Sequence, residues 1–317
     1  MMIRSLIALF VCALAATAAN AQAHHPSIPS PERGQQNNYS IPDKPELLRR
    51  VAVYEAAAHN AVNAHASAES LVKIYANLGA LYMDLTMYPK GEDAMKHAIL
   101  LLKDGPKDVL AEEIGHLSVL HSAMGEVKQA EKDQMRALAI REAIGDPLGI
   151  ALTWSDMAEL YFRERQMKKA LDYAQRAFPV LAGNTSVSAA DRIAVKQTLA
   201  VVLCEVRQCA RAISIMKDAL ELAKSTYGED SLAAGIEKFL LGHVYWRNGD
   251  EPDAAEWMKR GIERMKVDLG WGHAIYLNSM REYAVFLRRS GQVEEAASAQ
   301  SEVRRAESIV DARSFTH

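Results

Sequence analysis

Long apolar runs are scarce in this 317-residue chain. One stands near the start, from Leu6 to about Ala16, short of the roughly 20 residues that span a bilayer, and no later segment reaches that length without charges. Membrane insertion is therefore not expected. Aromatic residues are only 7% and glycine and proline are sparse, while hydrophobic residues reach 49% with alanine abundant. That mixture favours close-packed helices over sheets. Neither sign of charge dominates, since 37 basic residues face 40 acidic ones, which excludes a general attraction to nucleic acid or anionic lipid. Three cysteines cannot supply a cysteine quartet for zinc. The sequence also lacks an H-E-x-x-H helix, a glycine-rich phosphate loop and a G-x-S-x-G elbow. No catalytic residue, metal ligand or cofactor is assigned.

What is present begins with MMIRSLIALFVCALAATAANAQAHH. A positive charge at Arg4, an apolar stretch and the A-x-A pattern Ala19-Asn20-Ala21 make residues 1–21 a secretory signal peptide. A periplasmic or secreted location follows as an expectation. Residues 22–45, rich in Pro, Ser, Asn and Gln, read as a disordered linker. Its His24-His25 pair has no further ligand nearby in the sequence and reads as part of a solvated tail.

After the linker one pattern returns six times. "LGALY" at Leu78–Tyr82 and "LGHVY" at Leu241–Tyr245 are its clearest copies, and its first large residue falls at Leu78, Leu117, Met157, Leu199, Leu241 and Tyr283. The intervals are 39, 40, 42, 42 and 42, so the period is regular. Within one unit, bulky and small residues form an i, i+3, i+4, i+7 stripe on a first helix. A glycine or polar turn follows, as in Asn248-Gly249-Asp250, and then a second helix carries alanines seven apart that let its antiparallel partner approach closely. A single hairpin cannot bury its stripe, so neighbours must stack.

The order large, Gly or Ala, Tyr, turn Gly, Ala and a second small residue resembles the tetratricopeptide repeat. The unit is longer than the family's usual 34 residues, like the repeats of kinesin light chains and of helical sensor regions in bacterial regulators. Gly91 replaces an expected alanine, and the terminal proline signature is missing. The resemblance implies an all-α, right-handed superhelical solenoid of stacked antiparallel helix pairs. Its expected layout is an N-terminal capping helix at 46–70, six repeats at 71–306 and a polar tail at 307–317.

Such solenoids bind protein or peptide partners on the concave surface lined by their first helices. That surface is expected to present Glu159, Phe162 and Arg163 in the third unit, Phe239, His243, Trp246 and Arg247 in the fifth, and Arg281 and Arg288 in the sixth. Aromatic and arginine side chains suit an extended peptide or a carboxylate. The asparagine ladder of the kinesin light chain groove is not reproduced after Asn77, where His116, Asp156, Thr198, Leu240 and Glu282 stand instead. Cys204 and Cys209 straddle the turn of the fourth unit, either as a short disulfide or as two small buried hydrophobes. The expected function is an exported, non-catalytic scaffold. The rivals are a self-assembling repeat module and a helical hydrolase or lyase acting on envelope polymers.

Overall fold

The computed structural model describes residues 44–271 and 273–314. The expected signal peptide and nearly all of the expected linker lie outside the described residues. Thirteen α-helices and no strand occupy the described residues. They fall into two compact units, 44–184 and 185–314.

The N-terminal unit holds α1 (Lys44–Asn63), α2 (Ala68–Asp84), α3 (Tyr88–Leu101), α4 (Lys107–Ala123), α5 (Val127–Ile144), α6 (Pro147–Arg163) and α7 (Met167–Leu181). The cap α1 buries Leu47, Val51 and Ala58 against Leu78, Leu81 and Tyr82 of α2 and Ala94 of α3. The C-terminal unit holds α8 (Ala189–Glu205), α9 (Cys209–Tyr227), α10 (Leu232–Asn248), α11 (Glu251–Leu269), α12 (Ala274–Arg289) and α13 (Val293–Ser314). The last helix continues well into the stretch where a polar tail was expected, because no glycine or proline interrupts residues 293–314.

Six helix pairs result, α2/α3 through α12/α13, and each turn within a pair is built alike. A residue of positive φ follows the first helix at Thr86, Gly125, Arg165, Arg207, Gly249 and Gly291. The next residue's amide donates to a carbonyl five positions back: Met87 to Tyr82, Glu126 to His121, Gln166 to Tyr161, Gln208 to Leu203, Asp250 to Tyr245 and Gln292 to Leu287, all at 2.8–3.0 Å. This is the Schellman closure, which satisfies carbonyls that a helix end would otherwise orphan. Only three of the six turns use glycine at the left-handed position. Thr86, Arg165 and Arg207 adopt it against the Cβ penalty, a sign that the packing of the pair sets the turn.

The seam between paired helices explains the small residues of the repeat. A Cβ on Gly242 would come within 2.6 Å of Met258 N, and one on Gly261 would come within 2.6 Å of Gly235 O and Phe239 N. Backbone meets backbone there, so α10 and α11 can lie this close only while those positions stay bare. Ala130, Ala137, Ala170, Ala177, Ala212 and Ala219 on the second helices are completely buried for the same reason.

Candidate functional site

First helices are helical where the stripe demands, and serine caps help start several of them. Ser188 and Ser231 accept from the amides of Asp191 and Ala234, at the starts of α8 and α10. In the C-terminal unit this arrangement aligns α10 and α12 so that Trp246 meets Phe286 edge-on, with ring centroids 5.6 Å apart. His243 lies edge-on to the same indole at 5.6 Å. The Arg289 guanidinium sits 5.7 Å above the Trp246 ring, a cation–π placement. Arg247 donates to Glu205 of α8 at 2.8 Å, Arg288 to Gln300 at 2.9 Å, and Arg281 to Asn278.

Several expected groove residues stand elsewhere. Phe239 is fully buried, because it belongs to the α10/α11 seam, where a Cβ on Gly261 would come to 2.7 Å of its own Cβ. His243 and Phe162 are also buried; aromatic bodies flanking the apolar stripe are drawn into it by the area they remove from water. Burial, and then Arg247, lowers the His243 imidazole to about 3, which keeps it neutral. Trp246, Glu159, Arg163 and Arg281 are half-buried, while Arg247 and Arg288 reach solvent. The structure therefore sets Arg289 over Trp246, leaves Arg247 and Arg288 exposed on the same two helices, and removes Phe162, Phe239 and His243 from the exposed face.

Polar groups hidden in the same helices were missed by the sequence reading. Gln197 of α8 donates to Glu237 of α10 at 2.5 Å, and both are almost completely buried. Glu282 of α12 is 1% exposed, and neither of its carboxylate oxygens has a hydrogen-bond partner. Burial pushes the Glu237 and Glu282 carboxyls up to about 8. Charges inside an otherwise apolar stripe, Glu237 among Ile236 and Phe239, were the available signal.

The N-terminal unit has a different polar set on its first helices. His116 Nδ1 lies 3.7 Å from Glu113 Oε1, and Gln134 donates to Asp156 at 3.4 Å. Burial works against the charge of His116, but Glu113, Glu112 and Asp156 overcome it and raise the imidazole to about 9. Burial first, then Asp156, pushes the Glu159 carboxyl up to about 8, and Arg163 Nη2 lies 2.7 Å from its Oε1. Arg163 also donates to Ser122 of α4 at 3.1 Å. Behind this face, His121 bonds Asp133 at 2.6 Å and reaches Glu92 at 3.4 Å, tying α4 to α5 and α3.

Cys204 and Cys209 form a disulfide across the α8/α9 turn, with Cα atoms 4.2 Å apart. A depression of about 440 Å³ lies among α9, α10 and α11, but its Lys224 and Lys238 both pair with Glu229. Among the described residues no cluster of His, Cys, Asp or Glu could hold a metal ion, and no helix is long and apolar enough to cross a membrane.

Tetratricopeptide-repeat family models match residues 114–144 and 191–266. The chain carries tetratricopeptide repeats. No curated protein matches it. Solved structures share the fold of these repeats. BtubC (BKLC) from P. vanneervenii is 20% identical, with 72% of this chain and 91% of that one covered at a TM-score of 0.57. A putative kinesin light chain from Podosopora anserina with nearly identical TPR-like repeats is 18% identical, covering 65% and 97% at 0.54. A Rap protein complexed with competence and sporulation factor is 14% identical, covering 83% and 75% at 0.58. The tetratricopeptide-repeat solenoid expected from the 39- to 42-residue period is thus the fold of the described residues.

Proposed function

We propose that this chain is an exported, non-catalytic adaptor that holds a protein or peptide against the first helices of its C-terminal unit. The observation that carries the reading is the half-buried indole of Trp246 with Arg289 above it and Arg247, Arg281 and Arg288 on the same two helices. A rigid aromatic anchor with a guanidinium above it suits an extended segment with acidic side chains or a terminal carboxylate. Arg288 donates to the neutral amide of Gln300, so its charge is not cancelled by that partner. The stacked frame fixes the surface before binding, which spares ordering entropy. A structural neighbour complexed with competence and sporulation factor supports the use of this fold for partner binding. The N-terminal pattern Arg4, apolar run and Ala19-Asn20-Ala21 supports export, and the Cys204–Cys209 bond suits an oxidising compartment.

Photo-crosslinking from residue 248, exposed at the end of α10, combined with capture from an envelope extract, tests the binding surface. Arg288→Ser with Arg289→Ser, both exposed, should abolish the crosslinked partner while leaving the thermal midpoint unchanged. Retention of the same crosslink in that variant sinks the assignment. N-terminal sequencing of the protein from the envelope fraction should begin at Gln22.

A second reading rests on α1, which leaves Leu48, Val53 and Val62 exposed on the cap. An end that fails to present a polar face invites stacking on a copy of itself. A molar mass that rises with concentration in light scattering, and falls back in Val53→Lys, would favour self-assembly.

A further inference from the structure

One position recurs on all three first helices of the C-terminal unit and is paired between only two of them. Glu205, Arg247 and Arg289 stand at the ends of α8, α10 and α12, each two residues before the left-handed residue of its turn, Arg207, Gly249 and Gly291. The turns share one backbone geometry, so the three side chains leave equivalent places on successive helices. Arg247 reaches back one helix and donates to Glu205 at 2.8 Å. For Arg289 the equivalent residue one helix back is Arg247, a like charge. Its guanidinium lies instead over Trp246, 5.7 Å from the ring centre, and among the described residues no carboxylate pairs with it.

The neighbouring arginines are engaged differently. Arg288 turns toward its own pair and donates to Gln300 of α13 at 2.9 Å. The Glu205 side chain is 9% exposed and that of Arg247 30%, so this ion pair is largely withdrawn from water and the charge of Arg247 is already met. Arg289 is exposed. Trp246, half-buried and edge-on to Phe286 of α12, fixes the indole between α10 and α12 beneath it. A ring attracts a cation without supplying an acceptor in the plane of its N–H fork.

We propose that Arg289 receives the carboxylate of a peptide partner between α10 and α12, in the place that Glu205 takes between α8 and α10, and that Arg247 is a positioning residue. The inference rests on the adaptor reading above and narrows it to one cation and one anionic group. Through Glu205, Arg247 braces α10 against α8 and so orients Trp246, its neighbour in the chain. The partner supplies across the next gap the acid that the chain supplies to Arg247. A planar fork and a carboxylate match in two parallel hydrogen bonds. The carboxylate belongs to an acidic side chain or to a chain end, the two sources of that group in a peptide.

The test uses the full chain and three peptides carrying an uncharged dye, read by anisotropy: Gly-Ser-Phe-Glu-Phe-Ser-Gly capped at both ends, the same capped peptide with Gln for Glu, and the Gln peptide with its C-terminus free. The Glu peptide or the free-ended one should bind at least about tenfold more tightly than the capped Gln peptide, and the tighter of the two names the source of the carboxylate. Arg289→Ser should remove that preference, whereas Arg288→Ser should weaken it about twofold or less. Arg247→Ser should weaken the preferred peptide about threefold, and Arg247→Lys, which keeps a cation for Glu205, should restore it; Arg289→Lys, which loses the fork, should not restore what Arg289→Ser removes. Arg289→Glu supplies the absent acid from the chain itself. It should abolish binding and raise the thermal midpoint by pairing with Arg247, so misfolding cannot account for the loss. A preference that survives Arg289→Ser, or equal binding of the three peptides, overturns the carboxylate site and leaves the adaptor reading standing. A midpoint lowered by Arg289→Glu overturns the shared register, and failure of Arg247→Lys to restore binding overturns the role of Arg247. If none of the peptides binds, the site and the adaptor reading both fall.

Discussion

The two units share their frame and differ in its lining. Both close each helix pair with the same Schellman turn, and both bury alanines at the seam. On the first helices, however, the N-terminal unit carries Glu112, Glu113, His116, Asp156 and Glu159, while the C-terminal unit carries Trp246 and four arginines. The units also fasten themselves differently, one with a buried His121–Asp133–Glu92 set and the other with a disulfide and glycines set against backbone. Geometry is thus repeated and chemistry is not. A repeat constrains the residues at turns and seams, which contact their own copies, and leaves the first-helix face free to differ from unit to unit.

The largest expected effect tests whether the fastenings are local. His121→Ala leaves the buried Asp133 carboxylate with Gln129 as its remaining partner. Stripping a donor from a buried carboxylate costs about 3 kcal/mol or more. Hydrogen exchange should accelerate in α4 and α5 and stay unchanged in α10 and α11; an equal acceleration in both units would refute the division.

Next comes the glycine seam. Gly261→Ala places a Cβ 2.6 Å from two backbone atoms, whereas Gly79→Ala meets the side chain of Met95 at 2.7 and 3.1 Å. Backbone cannot step aside and a methionine can. The first substitution should cost about 3 kcal/mol and the second about 1 kcal/mol or less by denaturant midpoint. Similar losses for both would mean that α10/α11 is no tighter than α2/α3.

Much of this was legible in advance, for reasons the same glycines make clear. Seam and turn residues recur because every pair faces the same steric problem, so Gly242, Ala254 and Gly261 announced the helix pair and its period. The candidate surface was only half legible. Phe239, Phe162 and His243 occupy positions that flank the stripe, and whether a flanking residue faces solvent depends on how closely neighbouring helices approach, a distance that no spacing in the sequence encodes. Glu282 and Glu237 were overlooked for the converse reason, since a carboxylate in a sequence normally signals a solvated face. The cysteine pair is legible only as two alternatives, because a five-residue separation permits a bond without requiring one.

The disulfide gives a smaller effect, confined to the C-terminal unit. Closing a loop of about six residues restricts the unfolded chain by about 2 kcal/mol. Cys204→Ser with Cys209→Ser, or reduction of the wild type, should lower the stability of α8 and α9 by that amount in hydrogen exchange. Unchanged protection of α9 after reduction would show that packing alone holds this turn.

The smallest effect concerns Glu282 and sharpens the electrostatic side of the comparison. Burial raises its carboxyl to about 8 in the folded protein from an ordinary value of 4.5. The folded state therefore keeps a proton that the unfolded chain has already released between those two values. Its contribution to stability is fully present below pH 4.5, declines as pH rises and is lost above pH 8. Glu282→Met removes the group while keeping its approximate volume, and no partner is left behind because neither oxygen had one. At pH 5 the variant and the wild type should be close in stability. At pH 8.5 the variant should be clearly the more stable, since an unpartnered buried acid is replaced by an apolar side chain. Glu237→Met should gain less at the same pH, because it strands Gln197, whose amide now donates to that carboxylate. Equal gains for the two variants would mean that Gln197 contributes nothing to holding Glu237; no gain for Glu282→Met would mean that water or another donor reaches that carboxylate in solution.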